Sequence, residues 1–324
     1  MADSTIFAVA DSPFPSLEPV ETVLASLNPS INMAADTSED AIIEVAKGAN
    51  ALFVTYAQIT AKVIDSLDGC GAIGRFGIGL DNIDLDAATA AGIPVVYAPQ
   101  YCLDEVSDHT MALLLTAARK TALADKLVKK GRWEMPAVAP IMRFRGKTMG
   151  LVGFGNIAQL VAQKAQAFGI NVISSDPFVK PEIAEAKGVE LVDFDALLER
   201  SDYVSVHAPL TPATENMFST EAFAKMKSSA FIVNTARGGL IDTAALVAAL
   251  DAGEIAGAGL DVLPQEPPAE DDPILNRDNV VINPHTSFYS EDALLDLQTT
   301  VAGDVLTVLN GEQPKWPANP DVFK

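Results

Sequence analysis

The chain is poor in histidine, cysteine and basic residues. Its 324 residues include three histidines and two cysteines, and 22 lysines and arginines stand against 43 acidic residues. The net charge of −21 argues against nucleic-acid binding, which requires a basic surface, and against docking on anionic membranes. We therefore expect no nucleic-acid partner and no membrane partner. A site for an anionic substrate must reverse this field locally with arginine side chains.

Metal clusters, disulfide frameworks and membrane spans are also unexpected. Cys70 and Cys102 do not form a C-x-x-C pair, so we expect no disulfide framework and no metal site. The longest apolar run, "MALLLTAA" from Met111, is too short to cross a bilayer. The N-terminus has no basic segment followed by a long apolar one, as a signal peptide would. The expectation is a soluble cytoplasmic protein.

Short apolar segments alternate with amphipathic helical segments in two successive series. The first series runs from "TIFAVAD" to "IPVVYA", and the second runs from "TMGLVGFG" to "VVINPH". This alternation predicts an α/β fold with two doubly wound parallel sheets covered by helices on both faces. The seams fall near 97–102 and near 290. If the last predicted helix returns to the first lobe, residues 1–99 and 291–324 form one lobe and residues 100–290 form the other.

A glycine motif opens the second series. In "MGLVGFGNIAQL", Gly153, Gly155 and Ala158 give G-x-G-x-x-A between an apolar strand and a helix. The first glycine allows a tight turn, the second lets a pyrophosphate approach the backbone, and the third position needs a small residue. The following strand ends at Asp176, where a carboxylate binds ribose hydroxyls and disfavours the 2′-phosphate of NADP. The motif predicts an NAD site; the alternative is a tight strand–helix turn without a ligand.

Polar side chains follow five strands of the second series. They are Asp176, His207, Arg237, Asp261 and His285. Because ligands bind at the carboxyl ends of parallel strands, five such residues at one edge favour a shared site. Each alone has a plainer reading, such as a surface ion pair for Arg237 or a hydrogen-bonded loop histidine for His285.

These residue types suit hydride transfer to a carbonyl. A nicotinamide cofactor moves the hydride, and the protein must supply the proton and stabilise the charge. His285 is the candidate proton donor, since imidazolium donates near neutral pH. Glu266, in "DVLPQEPP", is its candidate partner; the alternative is a solvated loop glutamate. Arg237 could bind a substrate carboxylate through two parallel hydrogen bonds.

The first series offers a second anion-binding turn. In "GRFGIGLDNID", Gly77, Ile78 and Gly79 follow a strand, and such a turn presents backbone N–H groups to an anion. Arg75 lies just upstream and could add a cation, or it could form an ion pair between the lobes. If Arg75 faces the substrate, a second anionic group on that substrate is expected, such as a phosphate, a sulfonate or another carboxylate.

The motifs together resemble a known family over nearly the whole chain. The stretches include "FGIGLDNIDLDAATAAGIPVVYAP", "VSDHTMALLL", "RGKTMGLVGFGNI", "VSVHAPLTPAT", "IVNTARGGLID", "GLDVLPQEPP" and "NPHTSFYSE". The chain resembles the D-isomer-specific 2-hydroxyacid dehydrogenases, in their phosphoglycerate-dehydrogenase-like and C-terminal-binding-protein-like branch. The resemblance implies a Rossmann NAD-binding domain (100–290) inserted into a discontinuous flavodoxin-like substrate-binding domain (1–99 plus 291–324). It also implies a homodimer joined through the nucleotide-binding domains.

The resemblance implies a role for each matching position. Arg237, Glu266 and His285 would be catalytic. The residues implied to contact NAD are Gly153, Gly155, Asn156, Ile157, Asp176, His207, Pro209, Thr235, Ala236 and Asp261. Those implied to contact the substrate are Arg75, Ile78, Gly79 and Phe288. Three positions depart from the family pattern: Asn156 replaces a frequent arginine, Ala158 replaces the third glycine, and Phe288 replaces a frequent tryptophan.

The expected activity is NAD-dependent interconversion of a 2-oxo acid and a D-2-hydroxy acid, in a cleft that closes to exclude water. Hydroxypyruvate and glyoxylate are both open as substrates. Two alternatives stand beside this activity: a non-catalytic NAD-sensing scaffold or corepressor on the same fold, and phosphite-type oxidation. Fold alone does not decide between an enzyme and a scaffold. The presence of the arginine, the glutamate and the histidine together favours catalysis.

Overall fold

The structure, a computed structural model, describes residues 4–324, which form two compact units. The first unit comprises the described residues up to Cys102 together with Ser290–Lys324, and the second unit is Leu103–Tyr289. The chain thus divides at 102/103 and 289/290, where the sequence placed the divisions at 99/100 and 290/291. The roles given to the two units stay predictions.

The first unit contains a parallel five-stranded sheet. Its strands are β1 (Thr5–Val9), β2 (Pro29–Met33), β3 (Ala51–Val54), β4 (Ala72–Arg75) and β5 (Val95–Tyr97). The helices between them are α1 (Glu18–Val23), α2 (Glu39–Ala46), α3 (Ala61–Asp65) and α4 (Leu85–Ala90). The spatial order β2-β1-β3-β4-β5 is the doubly wound order of flavodoxin-like sheets.

The second unit contains a parallel seven-stranded sheet. Its strands are β6 (Thr148–Val152), β7 (Asn171–Ser175), β8 (Glu190–Leu191), β9 (Tyr203–Val206), β10 (Phe231–Asn234), β11 (Gly257–Leu260) and β12 (Val280–Ile282). Its helices are α5 (Leu103–Arg119), α6 (Thr121–Lys129), α7 (Asn156–Ala167), α8 (Pro181–Ala186), α9 (Phe194–Arg200), α10 (Thr220–Lys225) and α11 (Thr243–Ala252). The order β12-β11-β10-β9-β6-β7-β8 reverses direction at β6, which is the Rossmann arrangement.

Burial explains why the strands read as continuous apolar runs. Every residue of β3, β9 and β11 is buried, because helices cover both faces of a parallel sheet and leave no solvent-exposed strand face. Polar and charged side chains therefore gather where the strands end. The predicted α/β fold with two parallel sheets is confirmed.

The last helix, α12 (Glu291–Leu309), returns the chain to the first unit. Its buried residues Leu297, Val301 and Val305 pack in one apolar cluster with Phe53 of β3. Ser290 caps the helix, since its hydroxyl accepts a hydrogen bond from the Ala293 N–H at 2.9 Å. The return of this helix agrees with the sequence expectation.

Three further features were addressed by the sequence. No helix within residues 4–324 has the length and apolar character needed to cross a membrane. Cys70 and Cys102 are buried, and burial raises the pKa of the Cys70 thiol to about 11. Across the same residues, no three histidine, cysteine, aspartate or glutamate side chains are grouped so that they could hold a metal ion.

Candidate active site

The glycine turn after β6 is shaped for a close ligand. Gly153 has φ +91°, and a Cβ there would lie 2.9 Å from the backbone of His207, so the position needs glycine. A Cβ added at Gly155 would meet no atom within 4 Å, which leaves open space at the start of α7. Gly155 caps α7 without a side-chain hydrogen bond, and Ala158 is fully buried against the sheet. These features fit a pyrophosphate at the helix N-terminus.

Asp176 follows β7 and is tied to the same turn. Its carboxylate accepts the Phe154 N–H at 2.8 Å, and it also accepts the N–H groups of Phe178 at 2.8 Å and Val179 at 3.1 Å. A carboxylate offers about four lone-pair sites, so three such bonds still leave capacity for a ribose hydroxyl. Asp176 therefore also positions the glycine turn, a role that the motif did not indicate.

His207 follows β9, and its backbone lies against Gly153 of the glycine turn. Its Nε2 lies 2.8 Å from the Ser205 hydroxyl oxygen, and burial lowers its pKa to about 4. The ring is therefore neutral near pH 7 and unsuited to donating a proton as imidazolium. Pro209, two residues on, is exposed, and its carbonyl accepts the Thr214 hydroxyl at 2.6 Å.

The lowered pKa of His207 predicts a pH-dependent stability. Between about pH 6.5 and about pH 4 the unfolded chain binds a proton at this histidine and the folded chain does not, so folding stability falls as the pH falls. We expect His207→Gln to reduce the acid loss in unfolding free energy between about pH 7.5 and about pH 4.5 by about 2 kcal/mol. Urea unfolding of both proteins at the two pH values measures this difference. Parallel losses in the two proteins would contradict it.

Asn234 organises the turn that carries Arg237. This asparagine ends β10 and is fully buried. Its side chain donates to the Arg237 carbonyl at 2.8 Å and accepts the Ala236 N–H at 3.0 Å. The Arg237 guanidinium donates through Nη1 to the Ala236 carbonyl at 2.7 Å. A polar residue ending the apolar run "FIVN" was the available sequence signal, and it was missed.

A glycine-dependent contact brings the Arg237 and Glu266 loops together. A Cβ at Gly238 would lie 2.0 Å from the Leu263 carbonyl carbon, so only glycine fits between the loops. Glu266 folds back within its own loop, where its Oε1 accepts the Leu263 N–H at 2.9 Å. The two loops therefore pack directly against each other, which holds Glu266 near the Arg237 turn.

His285 and Glu266 form the pair expected from the sequence. Nδ1 of His285 lies 2.7 Å from Oε2 of Glu266. Burial alone would raise the pKa of Glu266, but the hydrogen bond and charge of His285, the Leu263 N–H and the charge of Arg237 together lower it. Glu266 is therefore a carboxylate at neutral pH and accepts the proton on Nδ1. This arrangement fixes the tautomer of the ring, with the hydrogen on Nδ1 held by Glu266.

Asp261 anchors the turn that holds His285. It follows β11 with 1% of its surface exposed. Its backbone carbonyl accepts the His285 N–H at 2.8 Å, and its carboxylate accepts the N–H groups of Thr286 at 2.9 Å and Ser287 at 2.8 Å. His285 is held at φ +53°, a left-handed conformation that is rare for non-glycine residues. A role for Asp261 in cofactor binding stays a prediction, and its structural role was missed.

The remaining predicted residues of the second unit lie around these turns. The Phe288 ring is edge-on to His285, with centroids 6.2 Å apart. The Thr235 hydroxyl lies 2.9 Å from that of Thr110 on α5. Asn156 and Ile157 begin α7, beside the glycine turn. Their predicted contacts with cofactor or substrate stay predictions.

In the first unit, Arg75 ends β4 and is 8% exposed. Its Nη1 donates to the Phe76 carbonyl at 2.6 Å, and it occupies the space where a Cβ of Gly77 would lie. The Gly77 N–H donates to the Arg75 carbonyl at 3.0 Å, so this amide is already occupied. The backbone amides that remain candidates for binding an anion are those of Ile78 and Gly79. These substrate contacts stay predictions.

A family model and related sequences all point to the 2-hydroxyacid dehydrogenases. Residues 111–287 match the family model described as D-isomer specific 2-hydroxyacid dehydrogenase, NAD binding domain. A D-3-phosphoglycerate dehydrogenase of Archaeoglobus fulgidus is 42% identical over 273 residues, which cover 84% of this chain and 52% of that protein. A glyoxylate reductase of Korarchaeum cryptofilum is 38% identical over 295 residues, covering 90% of this chain and 89% of that protein.

A solved structure resembles the chain over most of its length. The D-lactate dehydrogenase of Aquifex aeolicus, complexed with NAD and lactic acid, superposes with a TM-score of 0.87 and 28% identity, covering 95% of this chain and 96% of that one. The chain spans about half the length of the phosphoglycerate dehydrogenases that it matches. The predicted family and the predicted cofactor, NAD, are confirmed.

Proposed function

Since the chain belongs to the D-isomer-specific 2-hydroxyacid dehydrogenase family, we propose that it is an NAD-dependent oxidoreductase that interconverts a 2-oxo acid and a D-2-hydroxy acid. The observation that carries the proposal is the His285–Glu266 pair at 2.7 Å, in which Glu266 lies on a loop packed against the Arg237 turn. A proton donor and a carboxylate-binding cation are the two groups that this reaction requires from the protein.

NAD is the cofactor that the second unit fits. The open space above Gly155 and the N-terminus of α7 suit the pyrophosphate, and Asp176 suits the ribose. When bound, the cofactor would accept a hydride from C2 of the substrate as NAD+ or donate one to it as NADH. Thr235, Ala236, His207 and Pro209 follow neighbouring strands and are proposed to contact it, as are Asn156 and Ile157.

His285 would exchange the proton. In the direction of reduction, C2 receives the hydride and its oxygen receives the proton from Nε2, so the carbonyl becomes an alcohol and the ring becomes neutral. Glu266 holds Nδ1–H throughout and stabilises the cationic ring that exists before the transfer. In the oxidation direction, Nε2 accepts the hydroxyl proton as hydride leaves C2.

Arg237 would bind the substrate carboxylate and polarise the neighbouring C2–oxygen bond. A guanidinium matches a carboxylate with two parallel hydrogen bonds, which fixes the orientation of C2. The Asn234 side chain holds the backbone on both sides of this arginine, so the cation is preorganised. Phe288 is proposed to pack against the substrate side chain, and Ile78 and Gly79 to bind its carboxylate through backbone amides.

The names of the relatives suggest which substrates to consider. The proteins most similar in sequence include phosphoglycerate dehydrogenases and a glyoxylate reductase, so a 2-oxo acid with or without a second anionic group is proposed. A contact between Arg75 and such a group is part of this proposal. Assembly as a homodimer is proposed as well.

The proposal predicts a preference for NADH over NADPH. The Asp176 carboxylate would repel a 2′-phosphate, whereas Asp176→Asn keeps the size and an acceptor for the Phe154 N–H. We expect this variant to lower the NADH-to-NADPH ratio of kcat/KM by about 10- to 100-fold. Asp193→Asn is the control, because Asp193 accepts the Ala196 N–H at 2.7 Å at the start of α9. An unchanged ratio in the Asp176 variant would rule out this role.

The direct test is a substrate panel. NADH oxidation is followed with glyoxylate, hydroxypyruvate, pyruvate, 2-oxoglutarate and a phosphorylated 2-oxo acid. The proposal expects turnover with at least one of them, and Arg75→Ala should selectively reduce turnover of the acids that carry a second anion. If NADH binds but no acid is reduced, the NAD-sensing scaffold replaces the enzyme as the better account.

A further inference from the structure

The third histidine of the sequence, His109 on α5, lies against the turn that carries His285. Its Nε2 is 3.3 Å from Oδ1 of Asn283 and 3.8 Å from Oδ1 of Asp261. About a quarter of the side chain is exposed, while the Asp261 carboxylate that it faces is buried. The motif "VSDHTMALLL" that contains His109 has no role in the function proposed above.

Both groups that face His109 are anchors of the catalytic turn. The Asn283 N–H donates to the Leu260 carbonyl at 2.9 Å, where β12 ends. Asp261 accepts the amides of Thr286 and Ser287 at 2.9 and 2.8 Å, where the turn closes. His285 lies between these two anchors. A contact with both of them restrains the turn from its outer side.

The chemistry of the contact assigns the proton. Both polar atoms that face Nε2 in these contacts are oxygens, and a carboxylate oxygen and an amide oxygen only accept hydrogen bonds. Nε2 of His109 therefore carries a hydrogen, which it donates to Asn283 and points towards the buried Asp261 charge. A donor near a buried carboxylate stabilises it and holds the side chain in one orientation.

The next residue along α5 makes a parallel contact with the other catalytic loop. The Thr110 hydroxyl lies 2.9 Å from that of Thr235, two residues before Arg237. Adjacent residues of one helix thus contact the His285 turn and the Arg237 turn. The helix packs against β10, β11 and β12, the strands from which these turns emerge.

We propose that His109 is a positioning residue, which sets the His285 turn for proton transfer through its hydrogen bond to Asn283 and its contact with Asp261. The proposal rests on the function proposed above, and it assigns no contact between His109 and the substrate. Its effect is exerted on geometry, because a misplacement of about 1 Å at a reacting group costs about 10²-fold in rate.

The first test needs no substrate. Amide hydrogen exchange is measured in the ligand-free protein for wild type, His109→Leu and His109→Gln. We expect the Thr286 and Ser287 amides to exchange about tenfold faster in His109→Leu and within about twofold of wild type in His109→Gln, whose amide can still donate. The Ala245 amide, bound to the Asp242 carboxylate at 3.0 Å in the same unit, is the reference that should not change.

The second test follows proton transfer. We expect His109→Leu to lower kcat about tenfold and to raise the solvent deuterium isotope effect, with the KM for the 2-oxo acid and the Kd for NADH unchanged. His109→Gln should restore most of the rate, and Ala112→Gln, on the exposed side of α5, should behave as wild type. A variant that only destabilised the fold would not raise the isotope effect.

The outcomes separate this inference from the proposed function. If wild type reduces no 2-oxo acid, the function fails, while the exchange experiment still decides whether His109 restrains the turn. If wild type is active and His109→Leu matches it in rate, isotope effect and amide exchange, the positioning role is overturned. Equal losses in His109→Leu and His109→Gln would overturn it as well, because the retained donor would then be irrelevant.

Discussion

Replacing His285 by asparagine lowers kcat by about 10²- to 10⁴-fold while NADH still binds: this is the largest effect that we expect. Asparagine is the appropriate substitute because His285 sits at φ +53°, a conformation that asparagine adopts with little strain. The variant therefore loses the proton donor and keeps the turn. Steady-state turnover measures the loss, and NADH fluorescence titration checks that the cofactor site is intact.

The outcome that contradicts this assignment is specific. If His285→Asn retains turnover within about tenfold of wild type, another group supplies the proton. His207 is a poor candidate for that group, because burial lowers its pKa to about 4 and leaves the ring neutral. A matching loss of NADH affinity in His285→Asn would instead place the histidine in cofactor binding.

Replacing Arg237 by lysine lowers kcat/KM for the 2-oxo acid by about 30- to 1000-fold, the second largest effect. Lysine keeps the charge but cannot form two parallel hydrogen bonds with a carboxylate, so orientation at C2 is lost along with affinity. We expect KM to rise and kcat to fall together. The Kd for NADH should stay within about twofold, because the substitution leaves the glycine turn unchanged.

Arg200→Lys is the matched control for this substitution. Arg200 binds the Glu190 carboxylate through two nitrogens at 2.8 and 2.6 Å, on an exposed part of the same unit. An exposed ion pair contributes about 0 to 1 kcal/mol to stability, so activity should not change. If Arg237→Lys behaves like Arg200→Lys, Arg237 does not bind the substrate carboxylate.

The fold could be predicted from the sequence because burial in a parallel sheet leaves a direct trace. Strands such as "ALFV" are apolar along their whole length, and helices cover both of their faces. The residues that end the strands were visible for the same reason, since a charged residue after an apolar run marks the edge of the sheet. Periodicity did not reveal the return of α12, and only the family resemblance implied it.

The supporting contacts were invisible because they depend on chain segments that are distant in sequence. Asp261 holds amides 25 and 26 residues further on, and His109 lies 174 residues before its partner Asn283. Neither pairing leaves a local pattern. The sequence shows a glycine at position 238 but not why it is needed. Only the fold reveals that the Leu263 carbonyl group leaves no room there for a Cβ.

In the proposed reaction, NADH donates a hydride to C2 of a 2-oxo acid with D selectivity, at a site formed by Arg237, Glu266 and His285. The direct measurement uses NADH deuterated at C4, a panel of 2-oxo acids, and chiral chromatography with mass analysis of the product. We expect wild type to form a D-2-hydroxy acid with deuterium at C2, and His285→Asn to form it more slowly by orders of magnitude. An L product, or no deuterated product from any acid while NADH binds, would contradict it.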